Sequence, residues 1–149
     1  YHQIDLLRRD AKAIIAGIVA GVVASLVGIF ILSKLFALSY EDFVTILPKS
    51  ITTAIGIGLA EELGGVSTIT VAAIIVTGLL GSTIAEPLLQ LFRINHPVAK
   101  GVAIGTSAHA VGTAKAMELG EVEGAMSSLA IVVAGLCTVI GASVIAGFY

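Results

Sequence analysis

Tryptophan is absent from this chain, cysteine occurs once, and charged residues make up only 12%. A soluble domain carries about 25% charged residues, so an ordinary soluble surface is excluded by composition. Net charge is −2 and aromatics reach 5%, so no basic stripe or set of stacking rings exists to hold nucleic acid. Cys137 stands alone, which excludes an intramolecular disulfide and a cysteine-based zinc knuckle and leaves it as a packing residue in an apolar run. No helical His-Glu-x-x-His, no Gly-rich phosphate loop with Lys and Ser/Thr, and no paired acid–base spacing is present. The chain therefore reads as a protein without catalysis, cofactor or metal.

Apolar residues, at 57%, dominate what is there, and they gather in three long uncharged runs: Ala13 to Ser33, Val66 to Ala85 and Gly124 to Tyr149. A helix needs about 20 such residues to cross the hydrocarbon core. All three runs qualify, and they predict an all-α, multi-pass protein of the cell membrane. The 17 glycines, with many alanines, favour close helix–helix approach. The chain opens on Tyr1 without an initiator Met and with no cleavage pattern after the first apolar run. That predicts a piece of a longer chain, with Tyr1 to Lys12 as a loop or short amphipathic lead.

Arg8, Arg9 and Lys12 precede the first run, which places that end in the cytoplasm by the positive-inside rule. The first helix is then expected over Ala13 to Leu38, and Ser39-Tyr-Glu-Asp reads as a polar break and N-cap. Glu86-Pro87 reads as the end of the second spanning helix. Between the long runs lie two shorter, interrupted stretches. Tyr40 to Leu63 is broken at Pro48-Lys49-Ser50, and Pro97 to Leu119 is broken around Gly105 to His109. Their uncharged parts are too short to span singly and suit re-entrant or interfacial segments.

A shift of 56 residues lays Ala54, Gly56, Ala60, Glu62, Leu63, Gly64 and Val66 on Ala110, Gly112, Ala116, Glu118, Leu119, Gly120 and Val122. This predicts one transmembrane domain, 1–149, with two repeats at about 40–86 and 97–148. Each repeat is a broken segment followed by a spanning helix. Broken segments that cross the membrane would make the repeats parallel; hairpins would make them inverted. The hairpin reading puts Arg93 and Lys100 on the cytoplasmic side and is preferred on charge.

Chemistry concentrates at the two breaks. Pro48 disrupts the preceding turn, Ser50 is a candidate cap for the helix that follows, and Thr52 and Thr53 add hydroxyls. A helix N-terminus attracts anions, and Lys49 adds a full charge. An intramembrane lysine points to function; the competing reading is an interfacial lysine reaching for headgroups. The second break holds Thr106, Ser107, His109 and Thr113, where Thr106 matches Ser50 and His109 matches Thr53 in the repeat frame. His109 suits a proton carrier or carboxylate donor, or a plain bridge between helices. Lys115 and Glu118, three apart, are expected to pair at a solvated edge, where Glu61, Glu62, Glu121 and Glu123 also fall. His2 and His96 read as loop residues.

Four segments resemble the LrgB/CidB family: Leu47-Pro-Lys-Ser-Ile-Thr-Thr53, Glu62-Leu-Gly-Gly65, Gly101-Val-Ala-Ile-Gly-Thr-Ser-Ala-His-Ala-Val-Gly-Thr-Ala-Lys115 and Gly120-Glu-Val-Glu-Gly-Ala-Met-Ser-Ser-Leu129. The chain looks like the C-terminal two-thirds of a member. The family commonly has Pro where this chain has Ala54, and often Arg where it has Lys115, whose ammonium lacks the bidentate fork. The resemblance implies transport of small monocarboxylates of the pyruvate, glycolate or glycerate class by alternating access. The alternative it implies is a holin/antiholin-like regulator of murein hydrolase export and lysis. Expected partners are the lipid bilayer, an LrgA/CidA-type membrane protein and further copies of the chain. Lys49, Ser50, Thr52, Thr53, Thr106, Ser107, His109 and Thr113 are the candidate substrate ligands.

Overall fold

The computed structural model describes residues 2–149, with side chains from Asp10 onward. Among the described residues every regular element is helical: α1 (His2–Leu35), α2 (Tyr40–Ile46), α3 (Thr53–Leu63), α4 (Ser67–Leu91), α5 (Pro97–Leu119) and α6 (Glu121–Ala146). Three of them, over Asp10–Leu35, Ser67–Leu91 and Glu121–Ala146, are long and apolar enough to cross a membrane. Their outward faces carry large apolar side chains, among them Val19, Val23 and Ile31 on α1, Leu79 and Leu80 on α4, and Leu136 and Ile140 on α6. Such faces are stable only against lipid tails, so the protein is a multi-pass membrane protein.

The inward stripe of α1 is Ile14, Ile18, Val22, Leu26 and Ile29, spaced by three or four residues as a helix face requires. It packs on Val98 and Val102 of α5 and on Met126, Ala130 and Ala134 of α6. At the far end Phe43 of α2 is fully buried and stacks on Tyr149 at 4.2 Å, while Phe30 meets both rings edge-on. Tyr149 donates its hydroxyl to Leu38 O at 2.7 Å, so this ring clamps the α1–α2 joint.

Helix starts and stops follow local chemistry. Ser39 caps α2 as expected: its hydroxyl accepts from Asp42 N, and the Asp42 carboxylate accepts from Ser39 N and Ser39 Oγ. Helices α1, α3 and α4 end on left-handed residues, Ala37, Gly64 and Arg93. In each the next amide reaches back five residues: Leu38 N to Ser33 O, Gly65 N to Ala60 O and Ile94 N to Leu89 O.

Three expectations need correction. The first helix begins at His2, so of the two readings of Tyr1 to Lys12 the loop, with His2 in it, gives way to a helix from residue 2; the Arg8 and Arg9 side chains lie outside the described residues. That helix also stops at Leu35 instead of Leu38. Helix α4 runs through Glu86-Pro87 to Leu91. Proline removes one backbone donor, the one that would bond Thr83 O, but its fixed φ is helical and membrane helices tolerate it.

Two segments double back. In α5 the break is His109, with φ 41° and ψ −136°. A Cβ placed on Gly112 would lie 3.0 Å from Ile104 Cγ2 and 3.3 Å from Ile104 O. Eight residues of unbroken helix would separate these positions by about 12 Å, so the arms on either side of His109 are folded together. Helix α6 receives both: Gly101 meets Glu123 and Met126, Gly105 meets Ser127, and Met117 meets Gly124. The stretch 40–63 likewise returns to its starting end. Val66 N donates to Thr45 Oγ1 at 2.8 Å, and Thr70 Oγ1 donates to Thr45 O at 2.7 Å, so the last turn of α2 lies beside the first turn of α4. The two folded segments start from opposite ends of the bundle. One opens beside Tyr149 at the end of α6, the other beside Glu123 at its start.

Candidate functional site

The first break is a tight turn. Lys49 N bonds Ile46 O, and Ile51 N bonds Pro48 O. Pro48, Leu47 and Ile51 are buried, which leaves Lys49 and Ser50 to face a cavity of about 580 Å³. Its other walls are Gly17, Gly21, Ala24 and Ser25 of α1 and Val102, Ala103, Thr106 and Ser107 of α5. Lys49 Nζ donates to Ser50 Oγ at 3.0 Å, and Ser50 Oγ lies 3.3 Å from Ser25 Oγ. No carboxylate among the described residues reaches Lys49, so its charge is balanced only by hydroxyls. Gly21 admits the opposite wall: a Cβ there would fall 2.6 Å from Thr106 Cγ2.

Four of the eight expected ligands, Lys49, Ser50, Thr106 and Ser107, line this one cavity although the two pairs are far apart in sequence. The other four do not. Thr52 is the N-cap of α3, half-buried, and its side chain makes no capping bond; Thr53 is exposed on the first turn. Ser50 is therefore not the cap expected of it, because it sits two residues upstream with its oxygen engaged by Lys49 and Ser25. His109 turns towards α4, where its Nε2 lies 2.9 Å from Ile74 O. A carbonyl only accepts, so Nε2 carries the proton. Gly78 makes the approach possible, since a Cβ there would lie 2.6 Å from His109 Cε1. Thr113 donates to His109 O at 3.0 Å and pairs with Ser127 Oγ at 2.7 Å, on the seam between α5 and α6.

The hydroxyl protons at the second break are spent locally. Thr106 donates to Val102 O and Ser107 to Ala103 O, both at 2.7 Å. The cavity thus presents the Lys49 ammonium and the one hydroxyl proton that the Ser25–Ser50 bond leaves over, while Thr106 and Ser107 present oxygen lone pairs unless they rotate. Ser25 was not legible as a site residue. The available signal was that it is the one polar residue between Ala13 and Leu32.

The family model of the LrgB-like family matches residues 1–148. The chain belongs to the LrgB-like family. It is 39% identical over 140 residues to antiholin-like protein LrgB of Bacillus cereus (strain B4264), covering 94% of this chain and 61% of that protein. Antiholin-like protein LrgB of Bacillus anthracis (strain CDC 684 / NRRL 3495) matches with the same identity and coverage. The chain thus spans 61% of the length of these curated relatives. No solved structure matches it.

This LrgB-like chain has a second polar cavity, of about 530 Å³, between α4 and the returning arm of α5. Lys115 Nζ there lies 3.1 Å from Glu118 Oε2, the expected pair, and 3.5 Å from Glu86 Oε2. The bond to Glu86 was not foreseen, because it depends on how α4 and α5 pack. It ties the returning arm to α4 through one ammonium shared by two partly exposed carboxylates.

Proposed function

We propose that the protein carries small monocarboxylates, of the pyruvate, glycolate or glycerate class, across the membrane by alternating access. The observation behind this is the cavity in which Lys49 and Ser50 from one break face Thr106 and Ser107 from the other, level with Ser25 near the middle of the α1 span. A positive charge without a carboxylate partner, beside a hydroxyl donor, suits one carboxylate group. The first-turn amides of α3, left without a side-chain cap, add positive potential nearby.

In this reading 40–86 and 97–148 are inverted repeats, and each folded segment enters the bilayer and returns. Support comes from the opposite starting ends of the two segments, and from helix exits at Gly64 and Gly120, which match in the repeat frame. Broken segments meeting near the midplane are a recurring transporter plan.

Uptake of labelled pyruvate and glycolate into proteoliposomes tests the reading. Saturable uptake by the unaltered chain is expected, with binding weakened about 10- to 150-fold in Lys49→Ala, the equivalent of one charge-assisted hydrogen bond of about 1.5–3 kcal/mol. No uptake by the unaltered chain would overturn it.

The second reading is antiholin-like control of murein hydrolase export and lysis, through assembly with further copies or with an LrgA/CidA-type membrane partner. The names of the relatives support it more directly than they support transport. Such a role needs self-associating apolar helices and no lysine at the centre. Timing of lysis in cells expressing Lys49→Ala separates the two: normal control without uptake favours the regulator.

A further inference from the structure

A second cavity adjoins the Lys49 cavity. A space of about 430 Å³ runs between α1 and the outgoing arm of α5, with Asp10 and His96 at its outer end. Gly17, Val102 and Ala103 line both spaces, so the two lie end to end along the α1–α5 groove, from the outer end of the bundle to Lys49 and Ser50. Its walls are kept low by small residues. A Cβ on Gly17 would make only ordinary contact, 3.5 Å from Val102 Cγ1, whereas one on Gly21 would press on Thr106. Polar groups mark both ends: Asp10 and His96 outside, Lys49, Ser50 and Thr106 within.

Towards the other end of the bundle the same site is packed shut. Phe43, Val44, Leu47, Pro48 and Ile51 are all buried, and Phe43 stacks on Tyr149. The site is therefore open to one end and closed to the other. Acidic residues lie at both ends, but the Lys and Arg residues do not: Lys12, Arg93, Lys100 and Lys115 lie towards the open end and Lys34 alone at the closed one. The positive-inside rule makes the open end cytoplasmic.

We propose that the α1–α5 cleft is the water-filled route by which a small solute passes between the cytoplasm and the Lys49 site, with Asp10 and His96 at its mouth. The structure is then the inward-open state. This rests on reading the Lys49 cavity as a solute site, but the test reads water access and needs no solute.

Single cysteines are placed in a Cys137→Ser background at Ala103 and Ala24 along the cleft, at Lys100 as a marker of the open end, and at Leu80 as a lipid-facing control. A membrane-impermeant methanethiosulfonate is applied to right-side-out and inside-out vesicles. Ala103→Cys and Ala24→Cys should react only from the side that labels Lys100→Cys, and Leu80→Cys should not react. Adding Gly17→Leu should cut Ala24→Cys labelling to the rate of Leu80→Cys while leaving Lys100→Cys unchanged. If Gly17→Leu does not fold, Ala99→Phe, at the outer wall, makes the same test. The proposal is overturned if the cleft cysteines react only with a lipid-soluble maleimide, or equally from both sides. A water-filled cleft in a chain without uptake defeats the carrier reading alone; uptake with a dry cleft defeats this route alone.

Discussion

Folding of α5 onto itself at His109 can be tested by distance. Ile104 and Ala116 belong to one buried cluster with Leu89, twelve residues apart in sequence. A continuous helix would hold them about 18 Å apart, at 1.5 Å per residue. A disulfide needs Cα atoms within about 7 Å, so the two geometries give opposite outcomes. The Ile104→Cys/Ala116→Cys pair in a Cys137→Ser background should close on mild oxidation and lose its two maleimide–polyethylene glycol shifts on a gel. The same pair in a straight helix cannot close without unfolding. Ala99→Cys/Ser107→Cys is the control. Both positions are exposed and lie on the outgoing arm, about 12 Å apart by the same rise, so both thiols should stay free. Because a Cβ on Gly112 would lie 3.0 Å from Ile104 Cγ2, Ile104→Cys/Gly112→Cys offers a second pair. Free thiols in both test pairs after oxidation, matching the control, would refute the hairpin and the cavity built on it.

Three further outcomes follow from packing. Gly105→Ala should destabilise by about 1–3 kcal/mol, because its Cβ would meet Ser127 O and lie 2.8 Å from Ser127 Cα, which is backbone with no rotamer to yield; heating with a thiol-reactive dye that reports Cys137 exposure measures this. By the same assay Thr113→Val should cost about 1 kcal/mol, since it leaves the fully buried Ser127 hydroxyl without Thr113; an unchanged melting point would mean the seam is held by shape alone. Lys49→Met should leave stability unchanged or raise it by at most about 2 kcal/mol, while weakening binding as Lys49→Ala does; a lower melting point would show that Lys49 holds the fold together.

What could be read from the sequence was whatever depends on runs and local spacing. The three spans show as uncharged stretches, the start of α2 shows in Ser39-Tyr-Glu-Asp, and the break in α5 lies in the hydroxyl-rich stretch ending at His109. What escaped depends on tertiary packing. Ser25 looks like an ordinary residue of an apolar run until the first turn delivers Ser50 to it. Pro87 reads as a stop because a proline ends most helices of soluble proteins, yet α4 runs through it to Leu91. The tilt of His109 towards Ile74, and away from the cavity, is set by the missing side chain at Gly78 on another helix. The Lys115–Glu86 bond needs α4 and α5 to be laid side by side.

The distribution of positive charge bears on which reading of function the fold favours. Lys12, Arg93, Lys100 and Lys115 lie towards one end of the bundle and Lys34 lies at the other; Lys49 alone sits midway, against Ser25. An ammonium at the centre of a membrane helix costs about 2.5–3.5 kcal/mol on insertion scales. Among the described residues its return is one charge-assisted bond to a serine hydroxyl, worth about 1.5–3 kcal/mol. The fold therefore holds Lys49 at best at break-even, and at worst at a loss of about 2 kcal/mol. A regulator that works by helix association gains nothing from that loss, because apolar faces such as those of α4 and α6 already supply association surface. A carrier recovers it each time an anion binds. If the regulator reading is right, an LrgA/CidA-type partner or a second copy has to place a carboxylate against Lys49, and the exposed flank at Ala24, Ala103 and Ser107 is where such a group would enter.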